Sequence, residues 1–189
     1  MKYYVTADVH GYFTELKTAL AAQGFFEDTK PHKLVICGDL FDRGTESLLL
    51  QEFILDLLSK DQVILIRGNH EDLALDLLHN WSRKSYLQRH HNFNGTVDTV
   101  SQLTGFSARD VFTKPEEVGK AFLQDPFIQT IIPAMVDYFE IEHSAKICLV
   151  FSTKIALLYV YRIIWRKKVR IEKQAHLSLG HSNLKTIMC

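Results

Sequence analysis

The chain has 189 residues, and its Lys plus Arg and Asp plus Glu counts are equal at 22 each, which leaves no net charge at pH 7. Such a molecule has no overall field that would concentrate nucleic acid or an anionic membrane, and we expect neither as a partner. The three cysteines are widely spaced and form no CxxC or Cys/His pattern, which argues against disulfides or structural zinc and favours the cytoplasm.

Three short apolar runs in the first part of the chain predict buried β-strands. They are Tyr3–Ala7, Lys33–Cys37 and Gln62–Ile66, and helical spacing of apolar residues lies between them at Tyr12–Gln23 and Glu46–Ser59. This β-α-β-α-β order favours right-handed crossovers and a mainly parallel sheet. In such sheets the functional site lies at the carboxyl ends of the strands, and each of the three runs ends in a polar cluster.

The first strand is followed by Asp8, Val9, His10 and Gly11. Residues two apart in a strand point to the same side, so the Asp8 carboxylate and the His10 imidazole can bind one metal ion while Gly11 lets the backbone turn away. Alone, such a triplet is more often a helix cap followed by a surface histidine.

The second strand is followed by the segment Gly38–Gly44, which contains two carboxylates and an arginine between glycines. The two oxygens of Asp39 suit a position that bridges two cations, and the planar guanidinium of Arg43 matches phosphate oxygens. The competing interpretation of this segment is a turn with a surface ion pair.

The third strand is followed by Arg67–Glu71. The amide oxygen of Asn69 can ligate a hard cation without adding charge, and the His70 imidazole can supply a proton to a leaving alkoxide near neutral pH. Asp42 would then orient His70 and raise its basicity. In isolation the segment could also be a helix start with acidic residues in its first turn.

Together, the three segments resemble the first three motifs of the calcineurin-like metallophosphoesterases, over roughly the first 75 residues. The matching residues are Asp8-x-His10, Gly38-Asp39-x-x-Asp42-Arg43-Gly44 and Arg67-Gly68-Asn69-His70-Glu71. The Arg43-Gly44 and Arg67–Glu71 forms of these motifs resemble those of the phosphoprotein phosphatase and diadenosine tetraphosphatase branch of the family. The resemblance implies an α/β fold, a β-sandwich flanked by helices in four α/β/β/α layers, which is incomplete or altered at the carboxyl end of this chain.

The resemblance also implies two divalent cations, with manganese first and iron or zinc as alternatives. Arg67 and Glu71 are interpreted as structural partners. In the family pattern, Asp8 and His10 bind the first cation, Asp39 bridges the two cations, and Asn69 binds the second. The pattern makes His70 the general acid, with Asp42 behind it, and Arg43 the residue that holds the phosphate.

The rest of the chain is expected to complete a single domain over residues 1–189, in which residues 1–78 carry the metal site. Residues 79–140 are polar and partly helical, and they predict a helical cap. Residues 141–189 are atypical, because Glu172 is the only acidic residue after position 150 in a stretch rich in Lys and Arg. A truncated or frameshifted coding end would explain that composition.

Two features of the predicted cap are interpreted as solvent-exposed. His79, His90 and His91 could be metal ligands, but they lie in a polar stretch, where solvated histidines are the usual outcome. Asn94-Gly95-Thr96 predicts an exposed turn, and the alternative is a turn that faces a substrate.

The distal family motifs are altered in this chain. Phe151 stands where the family pattern has a metal-binding histidine at the end of a later strand, and phenylalanine cannot ligate a metal. His181 follows a glycine as in the family's Gly-His segment, but the second histidine two positions on is missing. We retain His181 as a candidate metal ligand, although a lone histidine is more often a plain surface or core residue.

The leading hypothesis is a cytoplasmic metallophosphoesterase that hydrolyses a phosphomonoester on a protein or small molecule. A dinucleoside polyphosphate hydrolase is the nearest enzymatic alternative. The alternative from a different class is a catalytically impaired remnant of the same fold, motivated by Phe151 and the atypical carboxyl-terminal part.

Overall fold

A computed structural model describes residues 1–81, 90–142 and 144–150, and the backbone of 169–172. Its strands are β1 Lys2–Thr6, β2 His32–Cys37, β3 Val63–Ile66, β4 Tyr138–Ile141, β5 Lys146–Leu149 and β6 Val169–Glu172. Its helices are α1 Phe13–Ala22, α2 Ser47–Ser59, α3 Asn69–Asn80, α4 Asn92–Asn94, α5 Thr96–Thr104, α6 Ala108–Thr113, α7 Pro115–Gln124, a π-helical turn Phe127–Ile131 and α8 Ile132–Ala134.

The main sheet has four parallel strands in the order β3-β2-β1-β5. One row across it pairs Leu149, Val5, Val35 and Ile64 through their Cα register. Parallel strands covered on both faces read as continuous apolar runs, which is why the sequence pattern located the first three of them. The predicted β-α-β-α-β order, the parallel sheet and its flanking helices are confirmed.

The core lies on both faces of this sheet. Tyr4 and Val5 are neighbours on β1, yet they belong to different apolar clusters because successive strand residues point to opposite faces. Tyr4 packs with the helices, whereas Val5 packs in a cluster that includes Ile141 of β4. The rings of Tyr3 and Phe139 meet edge to face with centroids 5.7 Å apart, so β4, which pairs antiparallel with β6, covers the second face.

The segment between α3 and β4 is largely helical where the structure describes it, as the sequence predicts. Helix α7 begins with Pro115 at its first turn, a position where the missing proline amide costs no helical hydrogen bond. That this segment forms a cap remains a prediction. In the residues that the structure describes, we find no helix with both the length and the apolar character needed to span a membrane.

Candidate metal centre

The three predicted strand ends meet at one edge of the sheet. The ligand atoms of His10, Asp39 and His70 all lie within 4.8 Å of one another, and all three side chains are buried. This convergence follows from the parallel order, because the carboxyl ends of β1, β2 and β3 point to the same edge. The sequence therefore located residues from three separate segments at a common site.

The backbone is strained at these strand ends. Asp8, His10 and Asp39 adopt left-handed conformations with φ of 49°, 51° and 55°. Such conformations cost about 1–2 kcal/mol for a residue with a Cβ atom, and they concentrate at functional sites where the surrounding structure enforces them. A glycine is required at position 68, because a Cβ atom there would overlap Oδ1 of Asp39.

Glu71 joins the second and third strand ends. Its buried carboxylate accepts hydrogen bonds from the backbone amides of Gly68 at 2.7 Å, Asp39 at 3.0 Å and Leu40 at 2.8 Å. Burial and the charge of Asp39 raise the pKa of Glu71 to about 7, although the three amide donors oppose that rise. The structure thus gives Glu71 the structural role that the sequence suggested.

His10 is oriented by a backbone carbonyl. Its Nδ1 donates to the carbonyl oxygen of Phe41 at 2.9 Å, which leaves Nε2 as the nitrogen with a free lone pair. Burial lowers the pKa of His10, helped by the charges of Arg43 and His70, while the hydrogen bond to Phe41 opposes the change. The neutral imidazole is the form that binds a metal.

Asp8 places a buried carboxylate at the same edge. Its Oδ1 is buried and has no hydrogen-bond partner among the described residues. Burial, followed by the charge of Asp39, raises the pKa of Asp8 to about 6. The charges of Arg43 and His70 oppose this rise without cancelling it. A divalent cation would stabilise the buried carboxylate further. The donor set of Asp8, His10 and Asp39 therefore fits a divalent metal ion.

His70 and Asp42 form a buried pair. Nδ1 of His70 donates to Oδ2 of Asp42 at 2.7 Å, as the sequence anticipated. Burial lowers the pKa of His70, but the hydrogen bond and charge of Asp42, with the charge of Asp39, outweigh it and raise that pKa overall. Asp42 thus holds Nδ1 of His70, and Nε2 is the ring nitrogen that faces Arg43 and the site.

Arg43 lies at the mouth of the site. Its Nη2 is 3.4 Å from Nε2 of His70, and its side chain is exposed to solvent. Asn69 begins α3 and is half-buried, directly before His70, whose amide donates to Oδ1 of Asp39 at 3.1 Å. His181 lies outside the described residues.

Sequence reasoning missed two residues and misjudged a third. Thr96 and Thr99 both donate to the Asp42 carboxylate, at 3.0 and 2.7 Å, and the prediction that the turn at Thr96 is exposed is wrong. The prediction that His91 is solvated is also wrong, because it is fully buried with Nε2 3.4 Å from Oδ2 of Asp76. No local pattern marks these residues, since their partners come from distant parts of the chain.

Comparison with known proteins points to one family. The family model of the calcineurin-like phosphoesterases matches residues 1–180. A serine/threonine-protein phosphatase 1 of Salmonella typhimurium is 41% identical over 73 residues, which cover 39% of this chain and 31% of the relative. A symmetrical bis(5'-nucleosyl)-tetraphosphatase of Hamiltonella defensa is 38% identical over 103 residues, which cover 54% of this chain and 36% of the relative.

The chain thus matches about a third of the length of each of these two relatives. Among solved structures, a serine/threonine phosphatase from Saccharomyces cerevisiae aligns with a TM-score of 0.36 and 20% identity, over 67% of this chain and 37% of that one. The family model covers almost the whole sequence, and its dimetal chemistry agrees with the clustered ligands. The chain belongs to the calcineurin-like phosphoesterase family, whose members hydrolyse phosphoester bonds.

Proposed function

We propose that this chain hydrolyses phosphate monoesters in the manner of a serine/threonine protein phosphatase, on a phosphoprotein or a small phosphorylated molecule. The observation that carries the proposal is the cluster of His10, Asp39 and His70, together with the buried Asp8 carboxylate, whose Oδ1 has no hydrogen-bond partner among the described residues. The similarity to the Salmonella phosphatase supports it. A cytoplasmic location, expected from the cysteine pattern, is part of the proposal.

Two divalent cations would complete the site, with manganese first and iron or zinc as alternatives. Asp8 and His10 would hold one cation, Asp39 would lie between both, and Asn69 would contribute to the second. When bound, the cations lower the pKa of a water molecule and polarise the phosphoryl group. His181 would add a distal ligand to this set, and only metal analysis of its variants tests that assignment.

The residues around the cations divide the remaining work. Arg43 is exposed at the mouth of the site, where its guanidinium can hold two phosphate oxygens. His70 faces the same position with Nε2 and would give its proton to the leaving alkoxide. Asp42 holds the opposite ring nitrogen and stabilises the protonated form.

A dinucleoside polyphosphate hydrolase is the second candidate, favoured by the longer match to the Hamiltonella tetraphosphatase. A substrate panel separates the two. Purified protein with Mn²⁺ would be given phosphoserine peptides, 4-nitrophenyl phosphate and diadenosine tetraphosphate. Turnover of the phosphopeptides supports the monoesterase, whereas turnover of diadenosine tetraphosphate alone would replace it by the second candidate.

The third candidate is a remnant of the fold with impaired catalysis. It is favoured by Phe151, which lies outside the described residues and whose side chain cannot ligate a metal. Metal analysis of the purified chain addresses it directly. Two tightly held cations support an enzyme, and one or none supports the remnant.

A further inference from the structure

Helix α5 carries two threonines whose hydroxyl groups form hydrogen bonds with a side chain outside their own helix. Thr99 Oγ1 donates to Oδ1 of Asp42 at 2.7 Å, and Thr96 Oγ1 donates to Oδ2 of the same carboxylate at 3.0 Å. Both threonines are almost fully buried. Each contact spans more than 50 positions of the chain, so the two contacts join the helical segment to the loop that follows β2.

Among the other helical threonines in the described residues, Thr14 donates to the Glu46 carboxylate of another segment, whereas three donate within their own helix. Thr18, Thr104 and Thr113 each donate to the backbone carbonyl four positions earlier, which is the ordinary local partner of a threonine in a helix. Thr96 and Thr99 instead use their hydroxyls on a single side chain of another segment. Their contacts are specific to Asp42.

The contacts fix the Asp42 carboxylate at several points. The Thr99 hydroxyl also accepts a hydrogen bond from the Asp42 amide at 3.0 Å, so one hydroxyl connects the backbone and the carboxylate of the same residue. Oδ2 of Asp42 is shared by Thr96 and Nδ1 of His70. Every described partner of this carboxylate is therefore a hydrogen-bond donor, and rotation of the carboxylate would break at least one bond.

Helix α5 is itself fixed against the loop that carries Asp42. A Cβ atom at Gly95 would lie 2.6 Å from the backbone nitrogen of Arg43, so the helix start approaches this loop closely. The Gln102 side chain donates to the carbonyl of Gly44 at 3.0 Å and accepts from the amide of Ser47 at 3.0 Å. Thr96 and Thr99 therefore lie on a helix that is packed directly against the loop that carries Asp42.

We propose that Thr96 and Thr99 are positioning residues that hold Asp42 so that His70 presents Nε2 to the phosphate, and that their loss lowers kcat rather than substrate binding. The proposal rests on the proposed function of His70 as proton donor. Neither threonine contacts the reacting atoms, so each acts through Asp42. A displaced general acid matters most for substrates whose leaving group is a strong base.

The kinetic test compares Thr99→Val, which keeps shape and removes the hydroxyl, with Thr99→Ser, which keeps the hydroxyl. Thr104→Val on the same helix is the matched control, and Thr99→Ala replaces the valine variant if that one fails to fold. We expect Thr99→Val to lower kcat on phenyl phosphate about tenfold more than on 4-nitrophenyl phosphate with KM unchanged, and Thr99→Ser to restore kcat. Equal losses on both substrates, or no rescue by serine, would overturn the proposal.

A spectroscopic test does not depend on turnover. The Nδ1 proton of His70 gives an NMR signal that can be assigned by its disappearance in His70→Asn. We expect Thr96→Val/Thr99→Val to shift this signal or lose it to exchange, while Thr104→Val leaves it in place. An unchanged signal in a folded double variant would reject the positioning role. Absence of any Mn²⁺-dependent turnover in the unmodified protein would reject the proposed function instead, and the NMR result would still decide the threonines' role.

Discussion

Nδ1 of His70 lies 2.7 Å from Oδ2 of Asp42, and both side chains are at most 5% exposed. The hydrogen bond leaves Nε2 as the ring atom available to the site. His70 could serve there either as a proton donor or as a third metal ligand beside His10 and Asp39. The two roles differ in what removal of the imidazole does to metal content.

The substitution His70→Asn tests these roles. As a proton donor, His70 contributes to the chemical step, so its loss should reduce kcat by about 100-fold or more while the metal content stays unchanged. Turnover and metal content are measured on the same purified sample. Loss of metal together with activity would assign His70 to the metal, and unchanged turnover would remove it from both roles.

The substitution Glu71→Gln tests the connection between strand ends. The Glu71 carboxylate accepts hydrogen bonds from the backbone N–H groups of Gly68, Asp39 and Leu40. The NH₂ group of a glutamine side chain cannot accept, so at least one of these backbone N–H groups would lose its partner. We expect the free energy of unfolding to fall by about 2 kcal/mol, measured by urea denaturation. The control Glu52→Gln, at an exposed position of α2, should change it by less than about 0.5 kcal/mol. Equal effects of the two substitutions would contradict this role.

The substitution Gly68→Ala tests the close approach to Asp39. The added Cβ atom would overlap Oδ1 of Asp39 and displace a predicted metal ligand, so Mn²⁺ affinity should fall by about tenfold or more. Calorimetric titration with Mn²⁺ measures the effect. Gly119→Ala in α7 is the control, because its Cβ atom would meet nothing closer than 3.7 Å and alanine favours a helix. An unchanged Mn²⁺ affinity in Gly68→Ala would contradict the prediction, because it would show that a Cβ atom at position 68 fits beside Asp39.

The burial of His91 predicts that the folded protein loses stability in acid. Burial lowers its pKa below the ordinary 6.5, although the charge of Asp76 opposes this. The unfolded chain then binds a proton at higher pH than the folded chain, so the contribution of His91 is complete above pH 6.5 and is lost as pH falls from 6.5 through the lower pKa of the folded state. Thermal unfolding from pH 7.5 to 5 should show a smaller decline for His91→Gln than for the exposed control His90→Gln. An equal decline in the thermal stability of the two variants would contradict this prediction.

The sequence predicted the parts of the site that are local to strand ends. Asp8, Asp39 and His70 could be found because a short apolar run followed by polar residues identifies a strand end, and parallel order brings such ends together. Thr96 and Thr99 could not be found, because their partner Asp42 is more than 50 positions away and threonine in a helix has no distinguishing pattern.

Burial in the helical segment was equally hard to predict. His91 lies in a polar stretch, and its neighbour His90 is exposed as expected, yet His91 itself is enclosed. Residue type alone favours exposure for histidine, and tertiary packing decides the individual case. The roles of Phe151 and His181 stay predictions because both lie outside the described residues.

The central claim is that the carboxyl ends of three parallel strands form a divalent cation site. Equilibrium binding of Mn²⁺ to the purified chain and to Asp39→Asn tests it most directly, because a carboxylate oxygen of Asp39 lies within 4.8 Å of the ligand atoms of both His10 and His70. We expect two cations per chain in the unmodified protein and a loss of tight binding in the variant. No bound Mn²⁺ in the unmodified chain, or equal binding by both proteins, would contradict the claim.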